Sequence, residues 1–319
     1  MKAAIIKAPG QGPIYADFDK PAAHAGHRLI EVTASALSHV ARARASGTHY
    51  SSAATFPFVA GVDGTGRLED GQRVYFFKPE APFGSFADYT IVSGDHCAKL
   101  PDALDDVTAA AIAIPGMSSW AALVERGGFA AGETVLINGA TGTSGRLAVQ
   151  IAKHLGAGRI IATGRRKAAL QAMKLAGADV TISLEQDEDA LNRAFESQFA
   201  VGVDVVLDYL WGTSARALLI SAAKASPDDH PVRFVQIGSI SGADIQLPAA
   251  VLRSAAITLS GSGIGSVPLP RLLHAMQEVF NAAVPAGLQT ETQVVSLADI
   301  GKHWANTDSL RRTVFVPRP

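Results

Sequence analysis

Apolar and polar positions divide this chain into two textures. Through the first hundred residues the pattern is short and alternating. The runs 27–34 (HRLIEVTA), 72–77 (QRVYFF) and 86–92 (FADYTIV) suit strands and are separated by Gly, Pro and Asp. This predicts a mostly β, coiled or barrel-like antiparallel region. From Asp105 the texture changes. An alanine-rich apolar stretch at 107–114 meets Pro115-Gly116, expected to break it, and a helical pattern resumes over 117–125 (MSSWAALVE). The domain junction is placed there.

Beyond the junction, strand-length apolar runs alternate with helical ones. The runs are 134–138 (TVLIN), 159–163 (RIIAT), 203–208 (VDVVLD) and 233–237 (RFVQI), with helical spacing over 144–155, 167–176 and 213–223. Such alternation implies right-handed crossovers and a parallel sheet covered on both faces. A further run at 256–260 (AITLS) completes the sheet, and the glycine-rich segment 261–265 follows it. A helix is expected over 270–283, then strands at 291–295 and 313–316 that return to the first region. The expected division is 1–115 with 264–319 as one discontinuous domain, and 116–263 as the other.

Composition narrows the function. The 319 residues are 48% hydrophobic and 18% charged, enough for two buried cores. The 28 basic and 29 acidic side chains leave a net charge of -1, so no global field draws the chain to nucleic acid or an anionic membrane. The single cysteine, Cys97, excludes an intrachain disulfide and a cysteine metal cluster within one chain; its default role is a small buried apolar group. The opening MKAAIIK lacks a signal-peptide pattern, and no stretch approaches about 18 uninterrupted apolar residues. A soluble, cytoplasmic protein is expected.

The sharpest chemistry lies in 133–157, ETVLINGATGTSGRLAVQIAKHLGA. A strand ends at Asn138, Gly139, Gly142 and Gly145 follow at a spacing of three, and an amphipathic helix starts near Ser144. Without side chains the backbone can turn sharply and approach a pyrophosphate, with Thr141, Thr143 and Ser144 beside it and the helix N-terminus facing it. A structural turn is the competing reading, but the strand before and the helix after match a dinucleotide-binding Rossmann unit. After the next strand comes Gly164-Arg165-Arg166-Lys167, where an NAD site usually carries an acidic residue for the ribose hydroxyls. Between Glu133 and Asp179 there is none. Arginines there suit a 2'-phosphate, so NADPH is expected; the bland reading is cations solvating a helix start.

The whole chain resembles the zinc-independent, quinone-oxidoreductase-like branch of the medium-chain dehydrogenase/reductase superfamily. The resemblance rests on the opening MKAAII, the segments APFGSFADYTIV (81–92) and IPGMSSWAAL (114–123), the glycine pattern GATGTSG and the closing 313–317. The glycine pattern is the specific element; the rest carry weight through their order. The resemblance implies an α/β fold: a doubly wound Rossmann parallel sheet plus a discontinuous, mostly β GroES-like catalytic domain. It further implies hydride transfer from NADPH to a small-molecule quinone or enone, and a homodimer joined through the last Rossmann strand. Reduction of ordinary aldehydes or ketones, or a cofactor-binding redox sensor with vestigial activity, are the alternatives.

Zinc-dependent relatives use a cysteine near Ser38 and the histidine of a Gly-His-Glu triplet. Here the triplet reads Gly61-Val62-Asp63, and none of the nine histidines has H-x-x-x-H spacing, so no metal is expected. The family's Asn-x-x-Asp and Arg-Ser-Gly-x-Tyr patterns become Ser38-His39-Val40-Ala41 and Ala45-Ser46-Gly47-Thr48-His49-Tyr50. That makes Tyr50, His49 and Ser38 the candidate catalytic groups, with a surface-loop role open for His49 and a purely apolar wall for Tyr50. Ser118 and Ser119 stand where relatives place a threonine near the nicotinamide; helix capping is the other reading. Tyr209 and Trp211, Gly238 with Ser239, and Gly261 with Ser262 follow strands at the carboxyl edge and are expected at the cofactor. An apolar domain contact is the alternative for the two aromatics. Arg312 is expected to be a solvated cation.

Overall fold

The computed structural model describes residues 1–47, 55–306 and 311–317. In chain order the first strands are β1 (Lys2–Ile6), β2 (Ile14–Asp17) and β3 (His27–Ala36), followed by helix α1 (His39–Ser46). Next come β4 (Phe58–Val59), β5 (Asp63–Arg67), β6 (Arg73–Phe77), β7 (Tyr89–Ser93), β8 (Cys97–Lys99) and helix α2 (Asp106–Trp120). The alternating part is β9 (Thr134–Asn138), α3 (Thr143–His154), β10 (Arg159–Gly164), α4 (Lys167–Ala176), β11 (Val180–Ser183) and α5 (Glu188–Val201). It continues through β12 (Val205–Asp208), α6 (Gly212–Ala225), β13 (Val232–Gln236), α7 (Val251–Ser254) and β14 (Ile257–Gly261). Helix α8 (Leu269–Ala283), β15 (Thr292–Ser296), α9 (Ile300–His303) and β16 (Arg312–Val316) close the chain.

Two compact units result. One comprises 1–114, 276–285 and 289–319; the other comprises 115–275 and 286–288. The second crossing falls between Ala275 and Met276 rather than at 263–264. The start of α8 stays with the second unit, where Arg271 forms an ion pair with Glu125 at 2.6 Å.

The second unit is a parallel sheet of order β11-β10-β9-β12-β13-β14, the doubly wound Rossmann order with its switch between β9 and β12. Its strands read as nearly continuous apolar runs because both faces are covered. Leu136, Ile161, Val206 and Phe234 pack with Phe195 and Phe199 of α5 and with Leu218 and Leu219 of α6. Strand β11 and helix α5 are additions to the sequence reading.

The expected break at Pro115 does not occur. Helix α2 runs through it and continues as a π-helical turn over Ala121–Arg126. Ala109 to Ala113 and Ala121 to Leu123 are buried, so packing holds the helix although proline removes one backbone donor. The run from Asp106 to Arg126 is long and apolar enough to cross a membrane, but most of it is interior to the protein, as expected of a core helix.

The first unit is mostly antiparallel. One sheet has the order β15-β16-β3-β5-β6-β8, with β7 also pairing β3, and a smaller sheet joins β2, β1 and β4. The returning strands β15 and β16 are parallel to each other, and β16 joins antiparallel to β3 through Val314 and Phe315.

A charged group interrupts this unit's core. Asp63 is buried, and its carboxylate accepts a hydrogen bond from the Tyr75 hydroxyl at 3.3 Å. Arg312 brings its guanidinium inside as well, with Nε and Nη2 buried and unpartnered among the described groups. This corrects the expectation of a solvated cation: Arg312 opens β16, in register with Thr292 of β15, and its guanidinium nitrogens are buried. Burial raises the Asp63 carboxyl from 3.8 to about 7, against the lowering influence of Arg312 and of the Tyr75 hydrogen bond. The Asp63 value in the fold therefore exceeds its unfolded value, and the native state binds more protons between them. The stability tied to this group is complete below the unfolded value and is lost as pH rises towards about 7. In urea titrations, stability minus that of Asp63→Asn should fall between about pH 4 and 7; a flat difference would contradict the burial effect.

Candidate active site

The carboxyl edge of the parallel sheet is built from strands that each carry a polar residue at or near their end. Asn138 ends β9, Thr163 is next to last in β10 and Asp208 ends β12; all three are buried. Asn138 donates through Nδ2 to Asp208 Oδ1 at 2.8 Å and to Ser214 Oγ at 3.0 Å, and its Oδ1 accepts from the Thr163 hydroxyl at 2.7 Å. Thr163 Oγ1 in turn accepts the Gly139 N–H at 3.0 Å. A buried amide with both donors and its carbonyl engaged fixes three strand ends at once.

Asp208 also accepts the N–H of Leu210 at 3.1 Å, and its two oxygens receive the Trp211 N–H at 3.2 and 3.1 Å. Trp211 sits at φ 58, a left-handed conformation unusual for a bulky residue. Such strain costs about 1–3 kcal/mol, and a hydrogen bond to a charged carboxylate contributes about 1.5–3 kcal/mol, so Asp208 can hold the turn. Burial raises the Asp208 carboxyl, while bonds from Asn138, Leu210 and Trp211 oppose that rise.

The glycine loop rests on this frame. Gly139 has φ +88, and a Cβ there would meet the Leu210 side chain at 2.9 Å. A Cβ on Gly145 would come within 2.4 Å of the Gly139 carbonyl oxygen, so the first turn of α3 packs against the strand end through bare backbone. Gly142 differs: a Cβ there meets only the Gly139 oxygen at 3.7 Å, which leaves room for an incoming group. Gly142 caps α3 without a side-chain hydrogen bond, and the first turn, which includes Thr143, Ser144 and Gly145, carries no acidic residue. Its N–H groups and the positive end of the helix dipole suit a diphosphate.

Gly164 closes the other side of the loop, where a Cβ would strike Thr141 at 2.4 Å. Arg165 and Arg166 follow immediately and are exposed, with Arg166 capping α4. Asp179, the first acidic residue after Glu133, faces away from this edge. Its carboxylate accepts the Ile160 N–H at 2.7 Å, near the amino end of β10. Asp204 does the same for Thr134 at the start of β9, at 2.8 Å. Carboxylates thus hold the amino edge, and arginines stand at the carboxyl edge.

Tyr209 and Ser119 form a second tie. Ser119 Oγ lies 2.7 Å from the Tyr209 hydroxyl, 2.7 Å from the Pro115 carbonyl and 3.0 Å from the Ser144 carbonyl. With one proton it can donate to only one carbonyl at a time, so the Tyr209 O–H completes the set by donating to it. Burial pushes the Tyr209 phenol above its ordinary range. Ser118 instead donates to the Pro115 carbonyl at 3.1 Å. Both serines lie inside α2, because the helix does not stop at Pro115, so neither caps a helix start.

On the β13–β14 side the edge opens into a cleft of about 490 Å³, lined by Trp211, Gln236, Ser239 and Gly261 among others. Gly238 packs beneath it, where a Cβ would meet the Tyr209 carbonyl oxygen at 2.5 Å. Ser262 donates its N–H to the Gln236 carbonyl at 2.8 Å. The loops after β9, β10, β12, β13 and β14 therefore share one edge, but this cleft is not lined by the glycine loop.

In the first unit, Ser38 caps α1, its Oγ accepting the Ala41 N–H at 3.0 Å. Val62 is buried and offers no ligand atom. His49 and Tyr50 lie outside the described residues. Burial raises the Cys97 thiol to about 11, despite the opposing pull of Arg28, so it is a poor nucleophile. Sequence reasoning named Ser119 beside Ser118 but missed Asn138, Thr163 and Asp208 as site residues, for which the available signal was a polar residue at the end of an apolar strand.

Residues 145–282 match the family model described as zinc-binding dehydrogenase. A probable NADPH-dependent quinone reductase of Emericella nidulans is 28% identical, with 96% of each chain covered. A quinone oxidoreductase of Lama guanicoe is 30% identical over 57% of this chain and 57% of its own length. The fold matches the quinone oxidoreductase of Thermus thermophilus, solved alone and with NADPH, at a TM-score of 0.81 and 21% identity, covering 99% of this chain and 100% of that one. With a Rossmann sheet and a separate, largely antiparallel β unit in one chain, this protein has the fold of that quinone oxidoreductase, and along its sequence it is similar to quinone reductases.

Proposed function

We propose that this protein is a cytoplasmic, NADPH-dependent reductase that works without a catalytic zinc and whose acceptor is a quinone or an α,β-unsaturated carbonyl compound. The observation that carries the cofactor assignment is the pairing of an open middle glycine, Gly142, with exposed Arg165 and Arg166 at the end of β10. Asp179, which would otherwise compete for the ribose, is engaged at the opposite edge. The names of the Emericella and Thermus relatives support the same reading.

The glycine cradle fits a dinucleotide, since side chains at Gly139 or Gly145 would collide with their surroundings. Backbone N–H groups of Thr143, Ser144 and Gly145 would hold the diphosphate, and the two arginines the 2'-phosphate. Bound NADPH supplies the hydride; the chain binds and orients it. Zinc-free action is favoured by hydrocarbon at Val62 and by a Ser38 oxygen already engaged in a helix cap. Quinones and enones suit such a site because they accept hydride without strong Lewis-acid help. Tyr50 and His49 remain the proposed proton donors to the reduced acceptor.

NADPH should raise the melting temperature, and the protein should oxidise NADPH with quinones or enones faster than with simple aldehydes at matched concentration. Absence of both effects would remove the proposal. Replacing Arg165 and Arg166 together by Ala should weaken NADPH about 10- to 100-fold, as expected for lost charged hydrogen bonds of about 1.5–3 kcal/mol, and leave NADH nearly unchanged. Equal losses for both nucleotides would refute the assignment of the arginines.

A homodimer belongs to this reading. Strand β14 is the sheet's edge, and Leu259 on it is 37% exposed. Light scattering should give twice the monomer mass, and Leu259→Lys should shift it to the monomer. A monomeric wild-type protein would exclude pairing at this edge.

A further inference from the structure

We propose that His24, His27 and Glu80 bind one divalent transition-metal ion on the surface of the β unit, separate from the position that holds zinc in metal-dependent relatives. The His24 and His27 Nε2 atoms lie 3.0 and 3.2 Å from the same Glu80 oxygen, Oε2. All three candidate ligand atoms lie within 4.8 Å of one another.

The turn before β3 brings the histidines together. Gly26 takes φ +79 and the His27 N–H donates to the His24 carbonyl at 3.1 Å, so side chains three residues apart share one side. Their rings lie 4.0 Å apart, inclined at 43°. Glu80 is anchored by its own backbone: its N–H donates to the Ile91 carbonyl at 2.9 Å, and its carbonyl accepts from Phe83 at 2.8 Å. The three groups are therefore positioned from two segments, His24 and Glu80 standing 56 residues apart in sequence.

The chemistry asks for a cation. His27 Nδ1 lies 3.4 Å from the Ala25 carbonyl, and if it carries the ring proton, Nε2 presents a lone pair to Glu80. Two lone pairs at 3.2 Å repel unless a proton or metal lies between them. An outer nitrogen bonded to a backbone carbonyl is also the usual support for a metal-bound imidazole. With metal–ligand bonds of about 2.0–2.1 Å, donor separations of 3.0–3.2 Å correspond to ligand–metal–ligand angles of roughly 95–105°. Two imidazoles and one carboxylate suit zinc or copper(II) and do not suit magnesium, which prefers oxygen ligands and keeps its water. Water would complete the coordination, since the side chains of His24, His27 and Glu80 are 49%, 28% and 44% exposed.

The metal would clip the turn at 24–27 to the segment after β6 and add stability by binding only the folded chain. Calorimetry of the full chain, stripped with chelator and titrated with zinc chloride, should show one zinc per chain at micromolar affinity. Magnesium should show no comparable uptake. His24→Ala and His27→Ala should each weaken zinc at least tenfold, and Glu80→Gln should weaken it as well. Zinc should raise the melting temperature of the wild type and not that of the His24→Ala, His27→Ala double variant. That double variant should keep the wild-type melting temperature without metal and the wild-type response to NADPH, which separates this site from the cofactor site. Unchanged zinc affinity in the folded double variant, or no wild-type uptake at about 100 µM zinc, would overturn the proposal.

Discussion

The carboxyl edge of the sheet depends on one buried polar cluster. Asn138, Thr163 and Asp208 join the ends of β9, β10 and β12, and their remaining donors and acceptors take up Gly139, Ser214, Leu210 and Trp211. Buried polar atoms are costly when unpaired, so this arrangement tolerates few alternatives. It fixes where the glycine loop leaves the sheet and keeps Trp211 in a conformation that an ordinary turn would not hold.

That frame explains how a segment almost without functional side chains can recognise a ligand. The glycines remove bulk, and the helix start adds unsatisfied N–H groups and a favourable dipole. Charge placement completes the design. Asp179 and Asp204 serve as backbone acceptors at the amino edge, while Arg165 and Arg166 stand at the other end. An anion approaching the glycine loop therefore meets amides and guanidinium groups before carboxylates.

The two units handle buried charge differently. In the Rossmann unit Asp208 is supported by amide donors, so its burial is compensated locally. In the β unit Asp63 has one hydrogen bond from Tyr75 and a buried guanidinium near it, and its carboxyl is raised further towards neutrality. Its carboxyl consequently takes up a proton near neutral pH, whereas the Asp208 cluster serves chiefly as a fixed scaffold.

Elements whose signals are local were legible in the chain alone. Glycine spacing, strand-length apolar runs and helical periodicity located β9 to α3, β10 to α4 and the returning strands near the C-terminus, with ends shifted by a residue or two. The same reading missed β11 and α5, although Asp187 and the acidic pair Glu188 and Asp189 mark a helix start. Whether Pro115 breaks a helix, whether Arg312 meets water, and which of two adjacent serines reaches Tyr209 were settled by packing in three dimensions. Those outcomes turn on burial and on partners far along the chain, Ser119 and Tyr209 standing 90 residues apart, and local propensity carries no information about such distant neighbours. The convergence of His24 and His27 on Glu80 was hidden for the same reason: strand pairing, not helical spacing, brings them together.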